Sequence, residues 1–344
     1  MTEQATGSSP TLLDVAREAG VSAATASRAL NGSTRTVSAE KLALVLQAAE
    51  RLGYAPNLSA QATARGSTKT VALIVHDIAD PYFSSIAAGI VDGAEAAGLT
   101  VTMAVTGRSP DRELEIVSIL RGHRPHAIVL AGSRIGDDQE ALAGELRAYR
   151  AAGGRVAVVS QPGLPHGTVA IDNRGGAEAL ADALVAHGYR RFAVLRGPDV
   201  LHTSRDRADG FAAGLARAGI EVLGTIEADF TEDGGHAAMT GLLGRGRDDT
   251  ELVFAVNDVM AIGAMRALRD AGLVPGRDLG VAGFDDIAAA VDVDPALTTV
   301  AVPTRAMGLR AIELALAGAD EPELVWLPTS VVLRESTPRR ASTT

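Results

Sequence analysis

Two groups of residues in this 344-residue chain have the types and spacing of recognition chemistry. The first lies in TLLDVAREAGVSAATASRALNG, residues 11–32. Thr11, Ser22, Thr25 and Ser27 are short hydroxyls suited to phosphate oxygens, and Arg28 carries the fork that matches a guanine edge. Ala23 and Ala24 are small enough to let a helix approach bases closely and offer only methyl contacts. The second group follows β-branched runs. Asp80, Tyr82 and Phe83 come after VALIV, Ser160 ends VAVVS, Arg205 and Arg207 follow RGP, Asn257 and Asp258 follow LVFAV, and Asp285 follows a run ending in Phe284. Carboxylates, an amide and a guanidinium suit the adjacent hydroxyls of a sugar, while an aromatic face covers its C–H surface. The chain has 11 aromatic residues, and Tyr82, Phe83, Phe230 and Phe284 stand near these positions.

The elements that must position these residues change character along the chain. Thr11 caps a first helix with Asp14 three residues on, Leu12, Val15, Ala16 and Ala19 form its stripe, and Gly20 stops it. Ser22 caps a second helix, Ala23 to Leu30. A third opens after Ser38, with Leu42, Val45, Leu46, Ala49 and Leu52 on one face and Gly53 and Pro56 ending it. A short Gly-containing turn between the first two makes a helix-turn-helix. Residues 57–69 carry no large apolar anchor. Beyond Val71, strand-like runs at 71–75, 101–105, 127–131, 156–160, 192–195, 252–256 and 279–284 alternate with amphipathic stretches such as 83–97, 138–151, 174–187, 205–218, 258–271 and 304–317. Alternating βα units predict parallel sheets covered by helices. Their extent exceeds one doubly wound sheet, so two lobes are expected, breaking near 170–173. Ligands bind such sheets at the carboxyl ends of the strands, and two facing ends form a cleft.

Composition narrows the classes. The chain is 47% hydrophobic and 22% charged with no cysteine, which removes disulfides, thiolate metal sites and cysteine nucleophiles. MTEQATGSSP lacks the basic start and apolar run of an export signal, and no apolar run approaches membrane-spanning length, so a cytoplasmic location is expected. The net charge of −10 is uneven. Residues 1–69 hold seven Lys and Arg against five Asp and Glu, leaving the acid excess in the remainder. A near-neutral to basic head on an acidic body permits a DNA-binding module. GTVAIDNRGG and VLAGSRIG lack the spacing of phosphate-binding loops. The seven histidines show no metal spacing, with His123 and His126 read as surface residues. Asp137–Asp138 and Asp248–Asp249 read as solvated carboxylates. No nucleophile–base pair or cofactor fingerprint is present, so neither an enzyme nor a cofactor is expected.

The wider pattern resembles the LacI/GalR family of bacterial transcription repressors. The head carries the helix-turn-helix string at 11–32, Val37–Ser38 and LGYAPN at 52–57. The body carries DPYF at 80–83, DNRGG at 172–176, HGY at 187–189, RGP at 196–198, RDRADGF at 205–211, NDVMAIGA at 257–264, GFDD at 283–286 and PALTTV at 295–300. The resemblance implies an α/β fold with an N-terminal three-helix helix-turn-helix domain plus hinge, then a two-lobed periplasmic-binding-protein-like core. It places a disordered tail at 1–10, the DNA-binding domain at 11–56 and a hinge helix or linker at 57–69. The N-subdomain is set at 70–171 and 304–328, the C-subdomain at 172–303 and 329–338, and a tail at 339–344. DNA contacts fall on Thr11, Ser22, Ala23, Ala24, Thr25, Ser27, Arg28, Asn31, Tyr54, Asn57, Ala60, Gln61 and Thr63. Family hinges kink DNA with a leucine wedge. Here Thr63 stands at that place and Gln61 where relatives often carry arginine, so the hinge either binds without a strong kink or has another geometry. Effector contacts fall on Asp80, Tyr82, Phe83, Ser160, Arg207, Phe230, Asn257 and Asp285, with Phe230 at the stacking position. Asp258 is expected to cap the following helix, Phe284 to be core, and Arg205 to pair at the lobe interface.

These readings imply a repressor controlled by a small ligand, expected to be a carbohydrate, bound between the lobes. A homodimer would face a pseudo-palindromic double-stranded operator. RESTPRRASTT at the end lacks the heptads of a tetramer-forming helix. The rival reading is a sugar-binding protein of periplasmic type without DNA function, which predicts an export signal and no helix-turn-helix.

Overall fold

The computed structural model describes residues 10–31, 37–55, 68–132, 139–160, 162–246, 249–318 and 322–340. It divides into two compact units, residues 1–68 and 69–344.

The first unit holds α1 (Leu12–Glu18), α2 (Ala23–Asn31) and α3 (Ala39–Leu52). Each boundary has a local cause. The Thr11 hydroxyl accepts from Asp14 N while Asp14 Oδ2 accepts from Thr11 N at 2.9 Å, a reciprocal capping box. Gly20 takes φ +65° at the turn, and Ser22 Oγ accepts from Thr25 N at 3.2 Å to start α2. Ser38 caps α3, which ends on Gly53 at φ +62°. Val15, Ala16, Ala19, Ala26, Val45, Ala48 and Ala49 form the core, with Leu12, Val21, Leu30, Leu52 and Tyr54 packed around it. The apolar face of α3 differs from the expected one. Ala48 is buried, whereas Leu42 and Leu46 are 37% and 50% exposed. Alanines at the crossing let the three short helices approach closely, which turns the larger leucines to the flanks.

The second unit contains β1 (Thr70–Val75), α4 (Pro81–Ala96), β2 (Thr100–Val105), α5 (Pro110–His123), β3 (Ala127–Ala131), α6 (Glu140–Ala151), β4 (Arg155–Ser160) and β5 (Gly167–Ile171). Next come α7 (Asn173–Ala186), β6 (Phe192–Arg196), α8 (His202–Arg217), β7 (Val222–Glu227), α9 (Glu232–Gly244), β8 (Leu252–Ala255), α10 (Asp258–Asp270) and β9 (Gly280–Ala282). The chain closes with α11 (Ala289–Asp292), β10 (Thr299–Ala301), α12 (Thr304–Ala317), β11 (Leu324–Leu327) and β12 (Ser330–Val332). One six-stranded sheet has the order β11-β5-β4-β3-β1-β2, and a four-stranded sheet has the order β7-β6-β8-β9. Every pairing within both is parallel, so both faces need helices, as the α/β alternation predicts. The fold is a helix-turn-helix unit followed in the chain by an α/β core of two parallel subdomains.

Five strands escape the sequence pattern: β5, β7, β10, β11 and β12. β10 and β12 have three residues each and pair antiparallel as a separate ribbon. β7 and β11 lie at sheet edges with alternating exposure, and β5 is short and opens on Gly167. The ribbon matters for the site. Through β10 the chain leaves the four-stranded lobe for α12, which packs on α4 and on β4 and β5 of the other lobe. After β11 joins the six-stranded sheet, β12 returns to pair with β10. Among the described residues no helix is long and apolar enough to cross a membrane.

Candidate effector cleft and DNA-reading head

The carboxyl ends of the two sheets enclose a cleft of about 420 Å³ of atom-free space, mouth included. Asp80, Tyr82, Phe83, Ser160, Arg207, Phe230 and Asp285 line it, together with His76, Arg108, Leu201 and Thr203. Each arrives by a local device. Asp80 caps α4, accepting from Tyr82 N at 3.0 Å, and Pro81 starts the helix, so DPYF turns Tyr82 and Phe83 inward. Tyr82 Oη and Ser160 Oγ lie 3.0 Å apart in a hydrogen bond that joins α4 to the end of β4. Gly197 of the RGP turn lies under Phe230, where an added Cβ would sit 2.6 Å from the ring.

Arg207 is the best-connected group. Only 2% exposed, it donates from Nε to Asn173 Oδ1 at 2.8 Å and from Nη1 to the Val256 carbonyl at 2.9 Å. Its guanidinium lies 3.9 Å from the Phe284 ring centroid, so Phe284 is both core and cation–π partner. Nη2 stands 2.8 Å from Asp285 Oδ1, an ion contact out of hydrogen-bond alignment. That oxygen is fully buried. Arg108 reaches in from the turn after β2, its Cζ 5.6 Å from the Phe230 centroid and its Nη2 3.9 Å from Asp80 Oδ2.

Backbone strain collects here. Six non-glycine residues among those described have positive φ, and Arg108 (+60°), Ser160 (+99°) and Asp285 (+125°) all line the cleft. Electrostatics follow burial. Desolvation raises the Asp80 carboxyl above its ordinary range, opposed by the Tyr82 amide and Arg108. Burial also raises Asp285, with Arg207 opposing and Asp258 and Asp80 adding to the rise. Tyr82 is pushed up to about 12, mainly by burial. The site therefore offers one aligned guanidinium spent on protein acceptors, carboxylates seeking donors, and an aromatic face. This suits a polyhydroxy ring.

Two neighbouring residues exchange the expected roles. Asn257 does not line the cleft; its Oδ1 accepts from Met260 N at 3.0 Å and caps α10. Asp258, expected as the cap, is fully buried as the first residue of the helix, accepting from Thr299 Oγ1 at 2.6 Å and Ile287 N at 3.0 Å. Burial pushes it up to about 6. Gly283 admits this carboxylate, since a Cβ there would meet Asp258 Oδ1 at 2.2 Å. Arg205 is exposed. The sequence reading overlooked His76, Arg108, Leu201 and Thr203. His76 ends β1 and was open to the same strand-end rule, whereas Thr203 and Leu201 sit at a helix start that the periodicity placed later.

In the head, Ala24 is exposed, and Ser22 is also exposed with its Oγ 2.9 Å from Thr25 Oγ1. Arg28 Nε folds back onto the Ala24 carbonyl at 2.9 Å. Tyr54 packs against the three-helix core. Asn31 ends α2, while Asn57, Ala60, Gln61 and Thr63 lie outside the described residues, as does the hinge reading built on them.

A helix-turn-helix head in one chain with a periplasmic-binding-type core defines a class of DNA-binding transcriptional regulators. Residues 11–57 match the model of bacterial regulatory proteins, lacI family, and residues 181–337 that of the periplasmic binding protein-like domain. The HTH-type transcriptional regulator GalR of Escherichia coli (strain K12) is 37% identical over 334 residues, covering 93% of this chain and 94% of the relative. This chain belongs to the lacI family of bacterial regulatory proteins. Among solved structures, the lac repressor dimer bound to operator and the anti-inducer ONPF is similar with a TM-score of 0.82 and 28% identity, covering 96% of this chain and 100% of that one. A transcriptional regulator CelR–cellobiose complex is similar with a TM-score of 0.69 and 32% identity, covering 95% and 99%.

Proposed function

We propose that this regulator is a repressor whose operator affinity is set by a carbohydrate held in the cleft between the two sheets. The observation that carries this reading is the buried Arg207–Asp285 ion pair lining a cleft that also carries the Phe230 ring. A sugar's hydroxyls suit the carboxylates and polar groups of the cleft, and the ring's C–H surface suits Phe230. Asp80, Tyr82, Phe83, Ser160 and Arg207 complete the contact set. The operator bound by the similar lac repressor dimer and the cellobiose bound by the similar CelR support the same assignment.

In this reading two copies of the chain pair, so that two heads face the half-sites of an inverted repeat. The head comprises residues 11–56 and the hinge 57–69. The lobes comprise 70–171 with 304–328, and 172–303 with 329–338. Thr11, Ser22, Thr25 and Ser27 bind phosphates, and Arg28 swings off Ala24 to read a base edge. Effector binding changes the angle between the lobes, and linkage makes the effect reciprocal: a sugar that weakens operator binding itself binds the operator complex less well by the same factor. The regulator works in the cytoplasm and performs no catalysis.

The test uses purified full-length chain. Selection from random duplexes should enrich an inverted repeat, and a melting screen should show D-galactose, cellobiose or a related sugar raising the melting temperature. The same sugar should shift operator affinity in a gel assay. Absence of any enriched repeat refutes the regulator reading, and a sugar that raises melting without touching operator affinity refutes the control.

A further inference from the structure

The effector-binding Asp285 sits on a short segment tied to the strand through which the chain crosses between lobes. Asp285 N donates to the Val300 carbonyl at 2.9 Å, and Val302 N donates to the Asp285 carbonyl at 3.2 Å. Gly283 N donates to the Thr298 carbonyl at 2.8 Å. Residues 283–285 are thus zipped along β10, and β10 leads directly into α12 on the other lobe. Asp285 at φ +125° and Asp286 at +56° hold conformations that their side chains disfavour. Such a segment keeps its shape only if its surroundings over-determine it.

Beside these backbone bonds, one buried hydroxyl joins the segment to the start of α10. Thr299, fully buried, donates from Oγ1 to Asp258 Oδ1 at 2.6 Å and accepts from Asp286 N at 3.4 Å. Asp258 in turn accepts from Ile287 N, and its own N–H donates to the Phe284 carbonyl at 2.8 Å. Arg334, two residues past β12, closes the ring by donating to Asp286 Oδ1 at 2.7 Å and to the Leu297 carbonyl at 2.7 Å. Neither Thr299 nor Asp258 lines the cleft.

We propose that Thr299, clamped by Asp258, is a positioning residue that carries effector occupancy at Asp285 into the interlobe crossover strand. It serves the response and not the binding. A ligand hydroxyl pulling on Asp285 loads a segment that cannot relax against β10, so the strand moves with it. In this proposal the crossover strand is the element that both the cleft and the head bias. The inference rests on the cleft being the effector site, so its test includes an arm that does not need a ligand.

Thr299→Val removes the hydroxyl and keeps the shape, and Thr299→Ser restores it. With full-length chain, a selected inverted-repeat duplex and D-galactose or cellobiose, whichever binds the wild type, the Val variant should hold the sugar within threefold of wild-type affinity. Its ratio of operator affinities without and with sugar should fall at least fivefold toward unity. The Ser variant should keep the wild-type ratio. A Val variant with the wild-type ratio overturns the proposal, as does a Val variant in which sugar affinity falls as much as the response. If no sugar binds the wild type, the ligand assignment fails by itself, and amide exchange judges the joint. Exchange at Asp285 and Val302 should quicken about tenfold in Thr299→Val and not in Thr299→Ser, and equal exchange overturns it. Thr299→Ala, which also removes the hydroxyl that Asp258 accepts from, carries the same comparisons should Thr299→Val not fold.

Discussion

Replacing Arg207 with methionine tests the proposed role of the cleft, because the same guanidinium holds protein acceptors and lines the cleft. The substitution fills similar volume but strands Asn173 Oδ1 and the Val256 carbonyl, and leaves Asp285 without its cation. Breaking a buried ion pair by removing one partner costs about 3–5 kcal/mol, and each stranded acceptor about 1–3 kcal/mol. These do not simply add, since burial already raises the Asp285 carboxyl and protonation relieves the orphaned charge. A net loss of about 3–5 kcal/mol is expected, equivalent to a fall in melting temperature on the order of 6–15 °C for a unit of this size. Urea unfolding at neutral pH measures it. Adding Asp285→Asn should recover about 1 kcal/mol or more, since the two residues interact directly. Sugar response should vanish in single and double variants, while operator binding without sugar persists below the lowered melting point. A single variant within about 1 kcal/mol of wild type, or strictly additive losses in the double variant, would refute the reasoning.

Other consequences are as direct. Asn257→Ala should lose about 1–2 kcal/mol of stability as a missing helix cap while sugar affinity stays within threefold; a tenfold loss of affinity returns Asn257 to the contact set. Gly197→Ala forces Phe230 aside and should weaken sugar binding by roughly tenfold or more, with little change in the melting temperature of the unbound protein, read by titration calorimetry. His166 is buried with neither ring nitrogen hydrogen-bonded, and desolvation lowers it to about 4. A histidine lowered on folding makes the protein lose stability as pH falls from about 6.5 through 4. Asp258, raised to about 6, works in the opposite sense over much of that window, since a raised carboxyl stabilises the fold at low pH and loses that contribution as pH rises through 6. His166→Phe should therefore flatten the acid limb of stability against pH, and an unchanged limb assigns it elsewhere. Arg28→Ala should cost about 1–3 kcal/mol of discrimination between operator and mismatched duplex, and equal losses on all sequences would make Arg28 a phosphate contact.

What the sequence determined by itself was whatever depends on near neighbours. The capping box of Thr11 and Asp14, the glycine stops at Gly20 and Gly53, and the α/β alternation all rest on interactions within a few residues, so they could be read directly. The strand-end rule also brought Asp80, Ser160, Arg207 and Asp285 together, because parallel sheets put every carboxyl end on one side. Tertiary structure decided what depends on distant partners. Asn257 and Asp258 are adjacent and either can cap a helix. The choice fell to Thr299 and the Ile287 amide, 41 and 29 residues away, which together require a buried acceptor where Asp258 stands. Arg108, on the turn after β2, meets Phe230 in the cleft only once the loop between β7 and α9 is folded opposite it. The face of α3 was settled by how closely alanines let three short helices approach. Short strands such as β10 and β12 carry too few residues for a pattern, and their pairing exists only once the chain has crossed between lobes and returned.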